Sequence, residues 1–152
     1  MVESGIKIIE HKEGYPKEVI KFLTGITTEE FSRPEWKDYF EDRLVNYYES
    51  GNNNFWIARD SENRIIGTCG ALQDSEEVVK LTCFYIDSEY RGIGLGKELY
   101  KLFIEFVEKE KYKTVLLCTY KEFDRAIRFY NERGFKLYEI DGERNWYKKI
   151  LL

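Results

Sequence analysis

One stretch constrains this chain more than any other. Residues 78–87 read as a long strand and 88–94 as a glycine-bearing loop, and the stretch Arg91-Gly92-Ile93-Gly94-Leu95-Gly96-Lys97 opens an amphipathic helix. Leu95, Leu99, Leu102, Phe103 and Phe106 recur at the i, i+4, i+7, i+8 and i+11 spacing of one apolar helix face. A buried-type strand follows at 114–119. A strand–helix–strand crossover joins parallel strands, whereas tight turns join antiparallel ones. The chain also carries hairpin signals, so its sheet must be mixed.

Those hairpins flank the crossover. Residues 55–59 and 64–73 pair across Asp60-Ser61-Glu62-Asn63, which supplies turn chemistry. Residues 135–140 and 146–151 pair across Asp141-Gly142-Glu143. A short strand is expected at 5–10, a short helix at 16–23 with Pro16 near its first turn, and a loop at 25–32. Pro34 opens a longer helix with Trp36, Phe40, Leu44 and Tyr47 on one face, ended by Gly51-Asn52-Asn53-Asn54. A last helix covers 123–132, with Phe123, Ala126, Ile127 and Tyr130 on one face and Gly134 just past its end. The expected order is β-α-α-β-β-β-α-β-α-β-β, an α/β domain with a mixed sheet over residues 1–152. No internal repeat or Ser/Gly/Pro-rich linker divides it.

Composition narrows the function classes. With 28 acidic and 24 basic side chains the formal charge is −4, which disfavours general nucleic-acid binding. No apolar run approaches ~18–20 residues, so no membrane span is expected. Residues 1–10 lack a basic-then-apolar signal pattern. Cys69, Cys83 and Cys118 each sit in a strand-like run and read as free buried thiols in a reducing, cytoplasmic setting. One histidine, His11, and no Cys-x-x-Cys make a metal site improbable.

The glycine loop is where chemistry is expected. Glycines let backbone N–H groups approach a ligand closely, and a helix N-terminus favours an anion, so phosphate is the expected guest. A dinucleotide fingerprint starting at Gly92 would need glycine or alanine at Lys97. One starting at Gly94 would need it at Leu99. A Walker loop would need glycine at Arg91 and serine or threonine at Glu98. Both nucleotide readings fail on residue identity.

Arg-x-x-Gly-x-Gly after a strand resembles the pyrophosphate loop of the GNAT superfamily of acyl-CoA N-acyltransferases. The likeness extends to Phe84-Tyr85-Ile86 before Tyr90 to Gly96, then to Ala126-Ile127-Arg128-Phe129-Tyr130 and Gly134-Phe135. It covers residues 78–137 in detail.

The resemblance implies the acyl-CoA N-acyltransferase fold, with a V-shaped opening between the strands ending at Ile86 and near Thr119. It implies acetyl-CoA as cofactor. Pantetheine would pair with the backbone of Phe84, Tyr85 and Ile86 much as an added strand does. Pyrophosphate would sit on N–H groups of Gly92, Ile93, Gly94, Leu95, Gly96 and Lys97. Lys97 and Arg91 would add positive charge, although Arg91 could equally make a structural ion pair. A backbone N–H near Tyr85 would polarise the thioester carbonyl. Tyr130 falls where the family commonly places the general acid that protonates the leaving thiolate. As one ring on an apolar helix face, Tyr130 also reads as plain core.

Two departures stand out. The family often has Asn three residues before the alanine; here it is Phe123, so that cofactor contact is expected to be replaced by backbone or ring packing. Where some members carry a strand Glu as general base, this chain has Cys118. A thiol nucleophile would mean a ping-pong route, whereas the family mostly uses direct attack. The base therefore stays open among Glu76, Glu77, Glu35 and Asp38. An amine of pKa ~10.4 must lose a proton near neutral pH, at a cost of roughly 4–5 kcal/mol.

The acceptor side is expected under the first two helices. Residues 29–42 hold six acids (Glu29, Glu30, Glu35, Asp38, Glu41, Asp42) against Arg33 and Lys37, while residues 91–101 are net positive. That division suits an anionic cofactor and an amine-bearing acceptor: a small molecule, a polyamine or a lysine-like amine. A solvated acidic face accounts for it as well. Trp36, Tyr39 and Phe31 are expected to line an aromatic pocket or to face the core. The alternative to an enzyme is an acyl-CoA-binding sensor that has lost catalysis. The chain is expected to be a monomer or a homodimer; in the latter, Trp146, Tyr147 and Ile150-Leu151-Leu152 would supply apolar surface.

Overall fold

The computed structural model describes residues 5–12, 15–30, 32, 36–40 and 50–151. Seven strands form one sheet: β1 (Lys7–Glu10), β2 (Asn54–Arg59), β3 (Ile65–Ser75), β4 (Val78–Ile86), β5 (Thr114–Tyr120), β6 (Lys136–Asp141) and β7 (Arg144–Ile150). Their spatial order is β1-β2-β3-β4-β5-β7-β6. Every junction is antiparallel except β4–β5, so the sheet is mixed as expected.

Helices cover both faces. α3 (Leu95–Lys109) and α4 (Asp124–Glu132) follow β4 and β5 on one side; α1 (Glu18–Glu29) and α2 (Trp36–Tyr39) lie on the other. The apolar stripe of α3 is buried at Leu95, Leu99, Phe103 and Phe106. β2 is buried on both faces: Trp56 and Ala58 join the α3 core, and Phe55 and Ile57 join the α1 core.

Two expectations fail locally. The loop expected at 25–32 is helical through Glu29. Val19, Leu23, Ile26 and Thr27 form one buried face, and the Thr27 hydroxyl donates to the Leu23 carbonyl at 3.0 Å. Gly25 costs about 1 kcal/mol of helix propensity, but burying that stripe outweighs it. Of the longer helix expected from Pro34, the structure describes the four helical residues of α2; Pro34, Leu44 and Tyr47 lie outside the described residues. At the other end of the chain Tyr147 is buried, Trp146 is half-buried and Ile150 is exposed. Tyr147 thus belongs to the core rather than to an outward surface, and Leu152 lies outside the described residues.

The feature that positions the site is a bulge in β4. Val79 and Leu81 point into the α3 core; Cys83 points to the α1 side, and Phe84 and Ile86 point to α3 again. The β3–β4 register shifts between Thr68 and Gly70 to accommodate the extra residue. Cys83 takes a left-handed φ of 51°, which costs a non-glycine residue roughly 1–2 kcal/mol. The buried Thr68 hydroxyl donates to the Cys83 carbonyl at 2.7 Å and helps hold the bulge in place.

Candidate active site

β4 and β5 pair for only three residues, Val78 with Thr114, Val79 with Val115 and Lys80 with Leu116. Beyond Lys80 the bulged half of β4 and the far half of β5 have no pairing between them. Among the described residues, no strand pairs with β4 on its β5-facing side beyond Lys80. The closed end is clamped. The backbone N–H groups of Lys113 and Thr114 both donate to the Glu77 carbonyl, at 2.8 and 3.1 Å, and the Lys113 ammonium pairs with the Glu77 carboxylate at 2.6 Å.

The glycine loop lies at the open end. Asp87 caps the 3-10 turn Ser88–Tyr90 by accepting from the Glu89 N–H at 2.9 Å. The Tyr90 hydroxyl donates to Asp60 at 3.1 Å. Asp60 also accepts from the N–H groups of Glu62 and Arg64 and from the Arg64 side chain, each at 2.9 Å. The Arg64 backbone N–H foremost holds the Asp60 carboxyl below the usual carboxylate range. Gly92 and Gly94 have φ of 79° and 90°, which side-chain-bearing residues rarely adopt. Gly94 precedes the first turn of α3, whose first backbone bond runs from the Glu98 N–H to the Gly94 carbonyl at 3.1 Å. The N–H groups of Leu95, Gly96 and Lys97 therefore have no intrahelical acceptor. They point out of the helix at its positive end, and the Lys97 side chain beside them is exposed. Ile93 is half-buried against the α3 core and anchors the loop.

Arg91 is engaged elsewhere. Its guanidinium donates to the Glu30 carboxylate at 2.5 Å and to the Ile86 carbonyl at 2.9 Å. The structural alternative for this side chain is the one observed: it ties the end of β4 to the end of α1.

Tyr130 is buried on α4, with its ring 6.5 Å from that of Phe84 and 5.6 Å from that of Phe135. It thus packs against the β4 residue that follows the bulge. Burial holds its hydroxyl well above the ordinary tyrosine range, so it stays protonated.

A profile of the acetyltransferase (GNAT) family matches residues 20–135. The chain belongs to the GNAT family. It is 31% identical to N-acetyltransferase 8B of Homo sapiens over 100 residues, 62% of this chain and 44% of that protein. It is 32% identical to N-acetylaspartate synthetase of Xenopus tropicalis over 91 residues, 59% of this chain and 33% of that protein. The chain spans about half the length of the first curated relatives it matches. Among solved structures, a GNAT-family acetyltransferase of Staphylococcus aureus Mu50 superposes with a TM-score of 0.77 at 26% identity, covering 97% of this chain and 99% of the other. The PaiA N-acetyltransferase of Thermoplasma acidophilum, solved in complex with coenzyme A, shares the fold at a TM-score of 0.74 and 18% identity, covering 95% and 99%.

The GNAT resemblance expected Phe123 near the cofactor. It precedes α4, with its ring 5.5 Å from that of Tyr120. Tyr120 in turn stacks on Trp36 of α2 at 5.1 Å, which joins α2 to the far half of β5. No local sequence signal pairs these two residues.

Cys118 was expected to be buried and is exposed. Strand alternation turns Val115, Leu117 and Thr119 inward and Cys118 outward, opposite Trp146. Partial desolvation still raises its thiol. Burial pushes Cys83 up to about 12 and Cys69 well above the ordinary value. None of the three thiols is activated for a covalent route.

The four base candidates do not converge. Glu76 and Glu77 lie at the β3–β4 turn, and Phe84 is seven residues further along β4 than Glu77, roughly 20 Å at strand rise. Asp38 is exposed on α2, and Glu35 lies outside the described residues. The charge division also softens, because Glu30 is neutralised by Arg91. A groove of about 730 Å³ on the outer side of α1 is lined by Lys17, Lys21 and Lys37 against Glu29, so it is basic rather than acidic. Among the described residues, no group of acidic, His or Cys side chains could hold a metal ion, and no helix is long and apolar enough to cross a membrane.

Proposed function

We propose that this chain is an acetyl-CoA-dependent N-acetyltransferase acting on a primary amine. The observation that carries the reading is the parting of β4 from β5 beyond Lys80, which opens beside first-turn N–H groups of α3 that lack an intrahelical acceptor. An extended, amide-bearing pantetheine arm matches the first, and a pyrophosphate matches the second. The residues present therefore fit the cofactor. Acetyl-CoA supplies an acyl group activated as a thioester.

The protein's part follows from its own groups. Backbone N–H groups of Leu95, Gly96 and Lys97 hold the phosphates, and Lys97 adds charge. The Phe84–Ile86 edge orients the pantetheine arm, and an N–H near Tyr85 polarises the thioester carbonyl. Tyr130 keeps a proton on its hydroxyl beside Phe84, available to the departing sulfur. Arg91 acts through loop position, because Glu30 already occupies its guanidinium. Direct attack by the amine is favoured over a ping-pong route, since all three thiols stay protonated at neutral pH.

Tyr130→Phe tests the reading. It should leave coenzyme A binding within a few-fold and lower turnover by roughly 10–10³-fold, the range for a lost general acid. An unchanged rate would remove Tyr130 from the chemistry. An acceptor screen with acetyl-CoA, following thiol release, tests the amine. Binding without release on any amine would favour an acyl-CoA sensor instead.

A further inference from the structure

α3 and α4 each turn back from the end of one strand of the parallel pair β4–β5, so their first turns lie side by side. Phe84 fills the space beneath them. Its ring lies 5.5 and 6.5 Å from those of Phe129 and Tyr130 of α4. A Cβ placed on Gly96 of α3 would meet it at 3.9 Å. Tyr100 of α3 meets Phe129 of α4 edge to face at 5.7 Å, which marks the seam between the helices.

Helix spacing fixes which side chains flank that seam. Lys97 lies three residues before Tyr100, Lys101 lies one turn after Lys97, and Arg125 lies one turn before Phe129. All three are exposed. Among the described residues none of the three has an acidic partner. The nearest acids in sequence, Glu98 and Asp124, stand about 100° further round their helices and turn away from the seam. Arg133 is engaged: its guanidinium packs 3.4 Å from the Phe129 ring centre and donates to the Phe129 carbonyl at 3.0 Å. The open cations therefore sit at the first-turn end of the seam, beside the α3 N–H groups that lack an intrahelical acceptor.

Those N–H groups suit a pyrophosphate. Coenzyme A carries a second anion one ribose away, a 3′-phosphomonoester of about −1.5 to −2 charge near neutral pH. We infer that Arg125, with Lys101 across the seam, holds this 3′-phosphate, so that the chain selects 3′-phosphorylated donors over dephospho-coenzyme A and over acyl groups on a bare phosphopantetheine arm. The inference rests on the acetyl-CoA reading above. A guanidinium presents paired N–H donors that match two phosphate oxygens, and Lys101 adds a point charge. The glycine loop cannot make this distinction, because coenzyme A and its dephospho form share the pyrophosphate that the loop would hold.

Isothermal titration calorimetry of coenzyme A and dephospho-coenzyme A on the full chain tests this. The parent should bind coenzyme A about tenfold or more tightly than the dephospho form, the scale of one charge-assisted contact. Arg125→Ala should lose most of that preference while its affinity for dephospho-coenzyme A stays within a few-fold of the parent's. Arg125→Lys should keep part of the preference. Arg128 is also exposed on α4 but points away from α3, so Arg128→Ala should keep it in full. Equal affinity of the parent for both ligands overturns the inference and leaves the acetyl-CoA reading standing. An Arg125→Ala variant that keeps the preference overturns it too. So does an Arg128→Ala variant that loses as much, since the effect would then be a diffuse field rather than a site. Binding of neither ligand would overturn the acetyl-CoA reading, and the inference with it.

Discussion

Glu30→Ala separates two roles for Arg91. The pair buries both partners mostly: their side chains are 25% and 21% exposed at 2.5 Å. A charge-assisted bond is worth roughly 1.5–3 kcal/mol when well shielded, and partial solvent access reduces that to about 1–2 kcal/mol here. For a chain of this size such a loss lowers Tm by about 2–8 °C. Arg91 also donates to the Ile86 carbonyl, so loosening it should let the end of β4 and the glycine loop drift. Glu30→Ala is therefore expected to raise KM for acetyl-CoA several-fold with kcat little changed. Arg91→Ala should do the same, and the double variant should be no worse than either single one, because the residues act as a unit. Differential scanning fluorimetry and steady-state kinetics with acetyl-CoA varied complete the cycle. If Arg91 instead bound phosphate directly, freeing it from Glu30 would lower KM while Arg91→Ala raised it. Opposite signs for the two variants would refute a positioning role.

Gly94→Ala forces a side chain onto a φ of 90° and should cost roughly 1–2 kcal/mol. Calorimetry should also show weaker coenzyme A binding, because the strain falls beside the free N–H groups. Asp60 has a depressed native pKa, so its stabilising contribution is complete above about pH 4 and is lost as pH falls through the native value. The Tm difference between the parent and Asp60→Asn should thus be full at neutral pH and shrink in acid; a constant difference would exclude the linkage. A thiol-reactive chromophore should modify one cysteine, Cys118, in the folded chain and all three in denaturant. With the Cys118 thiol raised, that reaction should be slow at neutral pH and speed up in alkali.

How much of this was legible beforehand divides by range of interaction. The glycine loop and α3 were visible because their signals are local: glycine identity, helix spacing, and the strand before them. The hairpins were visible for the same reason. The bulge at Cys83 was not, because it exists only in register with β3, where Thr68 accommodates it. The partner of Arg91 lies 61 residues away, and no local pattern selects Glu30 from the other acids around it. The helical run through Gly25 was hidden because propensity argued for a loop while tertiary burial of Ile26 and Thr27 decided otherwise. Cys118 was misjudged because an apolar-looking strand does not reveal which of its faces the core will cover.

By itself the sequence determined the element order, the mixed sheet, the phosphate-type loop and the family resemblance, since each follows from residues close together in the chain. The tertiary structure decided where β4 parts from β5, which cation is held away from the loop, which thiol meets solvent and which cations flank the seam between α3 and α4. Those outcomes depend on register and packing between distant segments, and a single chain read in order does not encode them as a local pattern.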